Sequence, residues 1–224
     1  MKLNYQLLLV LSTFAAQSVY AQRSDVYHLH FAKAVPGKAA DLATQLKTQD
    51  PKAPMKGHLL VLQHQDGADW DYAVLEHLGT KATVDIPPAS NTPPVGQWHT
   101  DSFVSGPSWA TFAKAMGLDQ AGSTKGSVYV VSVYRAVPGH RGELDKALSE
   151  APTAAEKIAG TVVMQHLEGG PWQFATVTRY ASWADFGASE SNSVAQTSKG
   201  AGGWFQIREH SAYHDDTLAV RITQ

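Results

Sequence analysis

Histidine is the residue type through which this chain could do chemistry. There are ten in 224 residues, and no cysteine at all. Imidazole serves general acid–base catalysis near neutral pH and ligates zinc, copper, nickel or iron. His28, His30, His64, His77 and His99 fall in the first part of the chain, and His166, His210 and His214 in the second. On a strand, His28-x-His30 puts two imidazoles on one face, a spacing compatible with a metal but not specific to one. No His-Glu-x-x-His or Glu-x-x-His spacing supports it. His30, His64 and His99 are the candidate metal ligands, and haem or a divalent cation is what they would hold; the residue types alone require neither.

The same residues predict a ligand pocket, with His28, His30, His64 and His99 from the first part and His166 and His210 from the second. Trp70 and Trp172 would join it as aromatic walls. The plainer alternative puts His64 and His166 at strand ends in water, and the tryptophans in packing, since indole carries a large apolar surface. Asp71 and Glu76 read as opposite faces of one strand, which keeps them from acting as a pair. Glu143, Lys146 and Asp185 read as solvated helix faces. No serine sits in a nucleophile elbow, and no glycine run has the strand-then-helix setting of a phosphate loop.

The elements that must position these side chains come in two copies. Val26-Tyr27-His28-Leu29-His30-Phe31-Ala32-Lys33-Ala34-Val35-Pro36-Gly37 returns as Val128-Tyr129-Val130-Val131-Ser132-Val133-Tyr134-Arg135-Ala136-Val137-Pro138-Gly139, 102 positions on. His64 then maps onto His166, Trp70 onto Trp172 and Ala73 onto Ala175. A period this long makes each copy a small domain. Period-two alternation predicts a strand over 26–34, with Tyr27, Leu29 and Phe31 on one face and His28 and His30 on the other. Pro36-Gly37 ends it, and an amphipathic helix is expected over 38–49. Strands at 58–65 and 70–77 flank Asp66-Gly67 as a hairpin. Residues 79–96 read as a proline-rich loop, 97–104 as a fourth strand and 108–117 as a short helix. The second copy gives a strand at 127–136, a helix at 140–150, strands at 161–167 and 172–180, a helix from Ser182, a glycine loop at 200–203, and the last strand or strands within Trp204 to Val220. Each copy thus reads β-α-β-β-α-β, an α+β, ferredoxin-like order whose apolar sheet faces would pack together as a single-chain barrel. The divisions are a signal peptide at 1–21, a first unit at 22–106, a linker with a short helix at 107–126, and a second unit at 127–224.

Lys2, the apolar run Leu7–Leu11 and Val19-Tyr20-Ala21 have the pattern of a cleaved secretory signal, which predicts a periplasmic or secreted protein starting near Gln22. The apolar run is too short for a membrane span, so no membrane partner is expected after cleavage. Without residues 1–21 the chain has 17 basic and 20 acidic residues, net −3 with histidine neutral, and no basic block. That composition argues against nucleic acid. With no cysteine, thiolate catalysis and disulfides are excluded, so the apolar core alone must stabilise the fold.

The openings Val35-Pro36-Gly37-Lys38 and Val137-Pro138-Gly139-His140, with Trp70 and Trp172 starting the third strands, resemble the dimeric α+β barrel superfamily. That group includes antibiotic-biosynthesis-type monooxygenases, NIPSNAP-like and EthD-like proteins, and haem binders. The resemblance implies a barrel that binds a small, partly apolar molecule in its cavity, with cofactor-independent monooxygenase-like chemistry. The first-strand asparagine of its haem-degrading members has no counterpart here, because Asn91 and Asn192 are the mature chain's only asparagines. The competing class is a non-enzymatic structural or stress-related module.

Overall fold

The computed structural model describes residues 22–81 and 95–223. The expected signal peptide and most of the 79–96 loop lie outside them. Eight strands form a closed antiparallel barrel: β1 (Asp25–Ala34), β2 (Leu59–Asp66), β3 (Tyr72–Thr80), β4 (Gly96–Gly106), β5 (Val128–Ala136), β6 (Ile158–Glu168), β7 (Phe174–Tyr180) and β8 (Ser211–Arg221). Around the barrel they run β1-β3-β2-β8-β5-β7-β6-β4. The order β2-β3-β1-β4 in the first half is therefore matched by β6-β7-β5-β8 in the second.

The barrel closes around the apolar faces of β1, β2, β3, β5, β6 and β7. Tyr27, Leu29, Leu60, Leu62, Leu75, Tyr129, Met164 and Val177 are wholly buried and meet in one core. Burying each such side chain stabilises the fold by ~1.5–3 kcal/mol. These side chains line and fill much of the barrel interior. Two deep hydroxyls are satisfied: Tyr27 donates to the Pro107 carbonyl at 2.7 Å and Tyr129 to the Met116 carbonyl at 2.9 Å.

Five helices lie outside: α1 (Ala39–Lys47), α2 (Trp109–Met116), α3 (Arg141–Leu148), α4 (Trp183–Thr197) and α5 (Gly203–His210). Ser108 caps α2 by accepting the Thr111 N–H, and Gly117 ends it at a φ of +69°. Ser182 caps α4 through the Asp185 N–H at 3.1 Å. The stretch expected to hold the last strand opens with an unforeseen helix, α5, before β8; Trp204 and Phe205 stay largely exposed.

Two seams join the halves, four residue pairs between β2 and β8 and three between β4 and β6. A hairpin tip locks each one. Gly67, at φ +122°, lies so close to β8 that an added Cβ would fall 2.5 Å from the Asp216 carbonyl oxygen, and Gly169, at φ +115°, would meet that of Asp101 at 2.3 Å. Next to them, Ala68 N–H donates to the Thr217 hydroxyl and Gly170 N–H to that of Ser102.

Gly160 on β6 marks a close approach of α2 to the sheet. A Cβ there would sit 2.1 Å from the Ala115 carbonyl oxygen, which also accepts a bond from Arg179 Nε at 3.0 Å. Gly160→Ala is expected to push α2 outward and cost about 1–3 kcal/mol, the range for overpacking. Urea unfolding of the two proteins measures it; equal midpoints would contradict this packing.

Candidate functional site

The outer face of β4, β1 and β3 gathers three of the predicted histidines. Inward Tyr27, Leu29 and Phe31 force His28 and His30 outward, and antiparallel register brings His30 opposite Asp101, Ala32 opposite His99 and His28 opposite Phe103. The Asp101 carboxylate takes one imidazole on each oxygen: His28 Nε2 donates to Oδ1 at 2.7 Å, and His99 Nε2 lies 3.1 Å from Oδ2. The His28 ring stacks on Phe103 at 5.2 Å, and His30 lies between, 5.8 Å from His28 and 5.2 Å from His99. Glu76, cross-strand from His28, accepts a bond from Gln49 Nε2 at 3.0 Å.

His30 is set apart from the other two. Its Nε2 is buried with no hydrogen-bond partner among the described residues. Burial lowers its pKa to about 4; the nearby Asp101 charge opposes this, and His28 and His99 add to it. His30 is therefore a neutral imidazole at physiological pH, whereas His28 and His99 remain about a quarter exposed and carboxylate-backed. A carboxylate behind an imidazole orients the ring and stabilises the imidazolium formed on proton uptake. A buried imidazole nitrogen without a partner favours a ligand that supplies a hydrogen bond. Among the described residues, no three His, Asp or Glu side chains are arranged to hold a metal ion. Two Nε2 atoms here are turned onto one carboxylate and do not converge on a point.

The other candidates fall elsewhere. His64 and His166 share the parity of inward Leu62 and Met164, so they turn to the core side while staying partly exposed; each Nε2 is buried without a described partner. They lie against Trp70 and Trp172 at 5.6 and 5.0 Å, and both tryptophans are core residues, 6% and 7% exposed. Burial lowers the His166 pKa. His210 ends α5 with its Nδ1 3.0 Å from that of His140, a link to the start of α3. The structure therefore does not bring the six predicted histidines together, because the strand pleat sends His28, His30 and His99 to one side of the sheet and His64 and His166 to the other. Asp71 precedes β3 and accepts the Ala34 N–H at 2.7 Å; Gln173 does the same for Ala136.

Sequence reasoning missed two carboxylates. Asp101 was legible as the His99-x-Asp101 spacing, which recurs on β8 as His214-x-Asp216 with Nε2 3.6 Å from Oδ2. Asp25, 5% exposed, accepts His77 Nε2–H at 2.9 Å, the Trp109 N–H at 3.0 Å and the Ser24 hydroxyl at 2.8 Å. His77 Nδ1 meets His58 Nδ1 at 2.9 Å, and the His58 ring stacks on Trp109 at 4.2 Å.

No protein-family model matches this chain, and no curated protein sequence does. Among solved structures it is similar to an anthrone oxidase-like protein, with a TM-score of 0.51 and 13% identity over 90% of this chain and 94% of that one. It is also similar to a "putative monooxygenase" of Lactobacillus acidophilus NCFM, with a TM-score of 0.51 and 8% identity over 88% and 94% of the two chains. At such identities the likeness is one of fold. The protein shares the α+β barrel architecture of these two structures.

Proposed function

We propose that the His28–His30–His99–Asp101 face binds a small, partly apolar molecule with an acidic C–H or O–H and oxygenates it with dioxygen, without a cofactor. The observation that carries this reading is the Asp101 carboxylate, which backs two imidazoles beside a buried, unpartnered His30 nitrogen. Phe103 and Val74 supply apolar surface beside them. His30 would hydrogen-bond the substrate's polar group, and His28 or His99 would take the proton. For an activated methylene, the carbanion left behind adds to dioxygen and is protonated to a hydroperoxide. Loss of water from that intermediate gives a ketone. The sum is one CH2 and one O2 converted to one C=O and one H2O, so no outside reductant is consumed. The fold likeness to an anthrone oxidase-like protein and to a monooxygenase-type protein supports the reaction class.

Anthrone is a suitable probe, with oxygen uptake followed in chelator-treated buffer free of flavin and nicotinamide. Uptake equimolar with substrate is expected. Asp101→Asn and His30→Ala should each lower the rate about 10²-fold or more, the scale of general-base contributions. Uptake no faster than with heat-denatured protein, or unaffected by Asp101→Asn, would rule the reading out. Tight binding without turnover would favour a non-enzymatic module.

A further inference from the structure

The second half carries its own cavity, of about 570 Å³, between the outer face of β5, β7 and β6 and the helices α3, α4 and α5. Small-molecule sites commonly fall in the range of ~300–1,000 Å³. We propose that this cavity binds an organic cation, an amine carrying an apolar or aromatic body. The site is separate from the imidazole face, and nothing in the proposal depends on oxygenase chemistry.

The charges of the lining point one way. Glu150, Glu156 and Glu190 line the cavity, and none of its described lining residues is Lys, Arg or His. Glu156 is partly committed, since it accepts bonds from the Thr153 hydroxyl and N–H. Glu190 has neither a described cation nor a described hydrogen-bond donor. Burial raises its pKa, and the charge of Asp216 nearby raises it further. Carboxylates around one cavity without a counter-charge repel one another, and a bound cation relieves that repulsion. An anionic ligand would add to it.

Aromatic rings supply the second half of the recognition. Tyr134 and Tyr180, from the outer faces of β5 and β7, line the cavity with Thr176 and Thr178, and Trp204 of α5 lines it too. The Tyr180 hydroxyl is 3.4 Å from Ser189 Oγ, which anchors the phenol to α4. Burial pushes the Tyr134 pKa up, so that phenol stays neutral. Neutral rings beside a carboxylate suit an alkylammonium group, through cation–π attraction combined with ion pairing. The matched face of the first half differs, because it carries His28 and His30 where this one has Val130 and Ser132. The preference for a cation therefore belongs to this half alone.

The test uses three probes of similar size and different charge: phenethylamine, 2-phenylethanol and 3-phenylpropanoate. Each is titrated into the full chain at low salt by calorimetry, with tryptophan fluorescence as a second readout. Phenethylamine is expected to bind about tenfold tighter than the alcohol or better, with no measurable binding of the carboxylate. Glu190→Gln should weaken the amine about tenfold and leave the alcohol unchanged. Trp204→Ala should weaken both amine and alcohol. Glu190 and Trp204 are only partly buried and make no described hydrogen bond or ion pair, so both variants should melt like the parent protein, which separates lost binding from lost folding. Equal affinity for amine and alcohol, or an amine affinity untouched by Glu190→Gln, would overturn the proposal. Because none of the probes is an oxygenase substrate, loss of the imidazole-face reading leaves this result standing, and the converse holds.

Discussion

Acidifying the protein from pH 7 to pH 4 should cost about 3 kcal/mol of folding stability through His30 alone. Its folded pKa lies at about 4, against 6.5 for the unfolded chain, and each unit of difference is ~1.36 kcal/mol. A histidine whose folded pKa is lowered contributes stability that is fully present above the unfolded pKa. That contribution is lost as pH falls from 6.5 towards 4, where the unfolded chain takes up a proton that the folded one refuses. His58, His77 and His166 are lowered as well and act in the same direction. Glu190, raised by burial, acts weakly the other way. Asp145, lowered chiefly by its hydrogen bond with Arg23, loses its contribution only in more acid solution. Urea unfolding at half-unit pH steps measures the slope, and His30→Gln should flatten it over the same window. Parallel stability curves for the two proteins would show that His30 is not the buried neutral group described here.

Removing the Asp25 side chain should cost still more, about 3–5 kcal/mol, the range for breaking a buried, hydrogen-bonded charge contact by deleting one partner. One carboxylate there satisfies His77 Nε2–H, the first N–H of α2 and the Ser24 hydroxyl. With His77 donating through Nε2, its Nδ1 is the acceptor for His58 Nδ1–H, so the chain of bonds runs from the surface inward to Asp25. Asp25→Ala leaves those donors in a place where water barely reaches, since Asp25 and His77 are 5% and 3% exposed. Asp25→Asn keeps the shape and one acceptor oxygen but turns an NH2 towards a donor, so an intermediate loss of about 1–3 kcal/mol is expected. Denaturant midpoints rank the three proteins; an Ala variant within 1 kcal/mol of the parent, itself on the order of a single surface contact, would contradict the cluster's structural weight.

The first strand was readable because its large apolar residues alternate with polar ones. The parity of Tyr27, Leu29 and Phe31 put His28 and His30 together on the opposite face, but that this face turns away from the barrel interior came only with the closed sheet. The same rule applied to Leu60, Leu62 and His64 would have sent His64 inward, but its place just before the Asp66-Gly67 turn suggested solvent instead. Helix α5 escaped notice because the glycines at 200, 202 and 203 mask its start, and its large apolar residues Trp204 and Phe205 are not buried. Asp101 stood two residues from His99, yet its role depends on β1 lying beside β4 with His30 opposite Asp101. Register of that kind is set by bulges and hairpin geometry, which one sequence does not reveal. The Asp25–His77–His58 chain is hidden for the same reason, since it joins β1, β3, the residue before β2 and the start of α2.

The two seams, with four and three paired residues, are short for surfaces that must hold a barrel shut. Between separate molecules, such contacts would open on dilution by mass action. Here residues 117–127 tether one half to the other, and a short tether gives an effective local concentration on the order of millimolar. Closure is therefore a unimolecular step, indifferent to how much protein is present. The tether also removes a constraint that identical subunits obey, in which every substitution appears twice. On a single chain, His30 can stand at a position where its counterpart is Ser132, and each outer face is free to take a different guest.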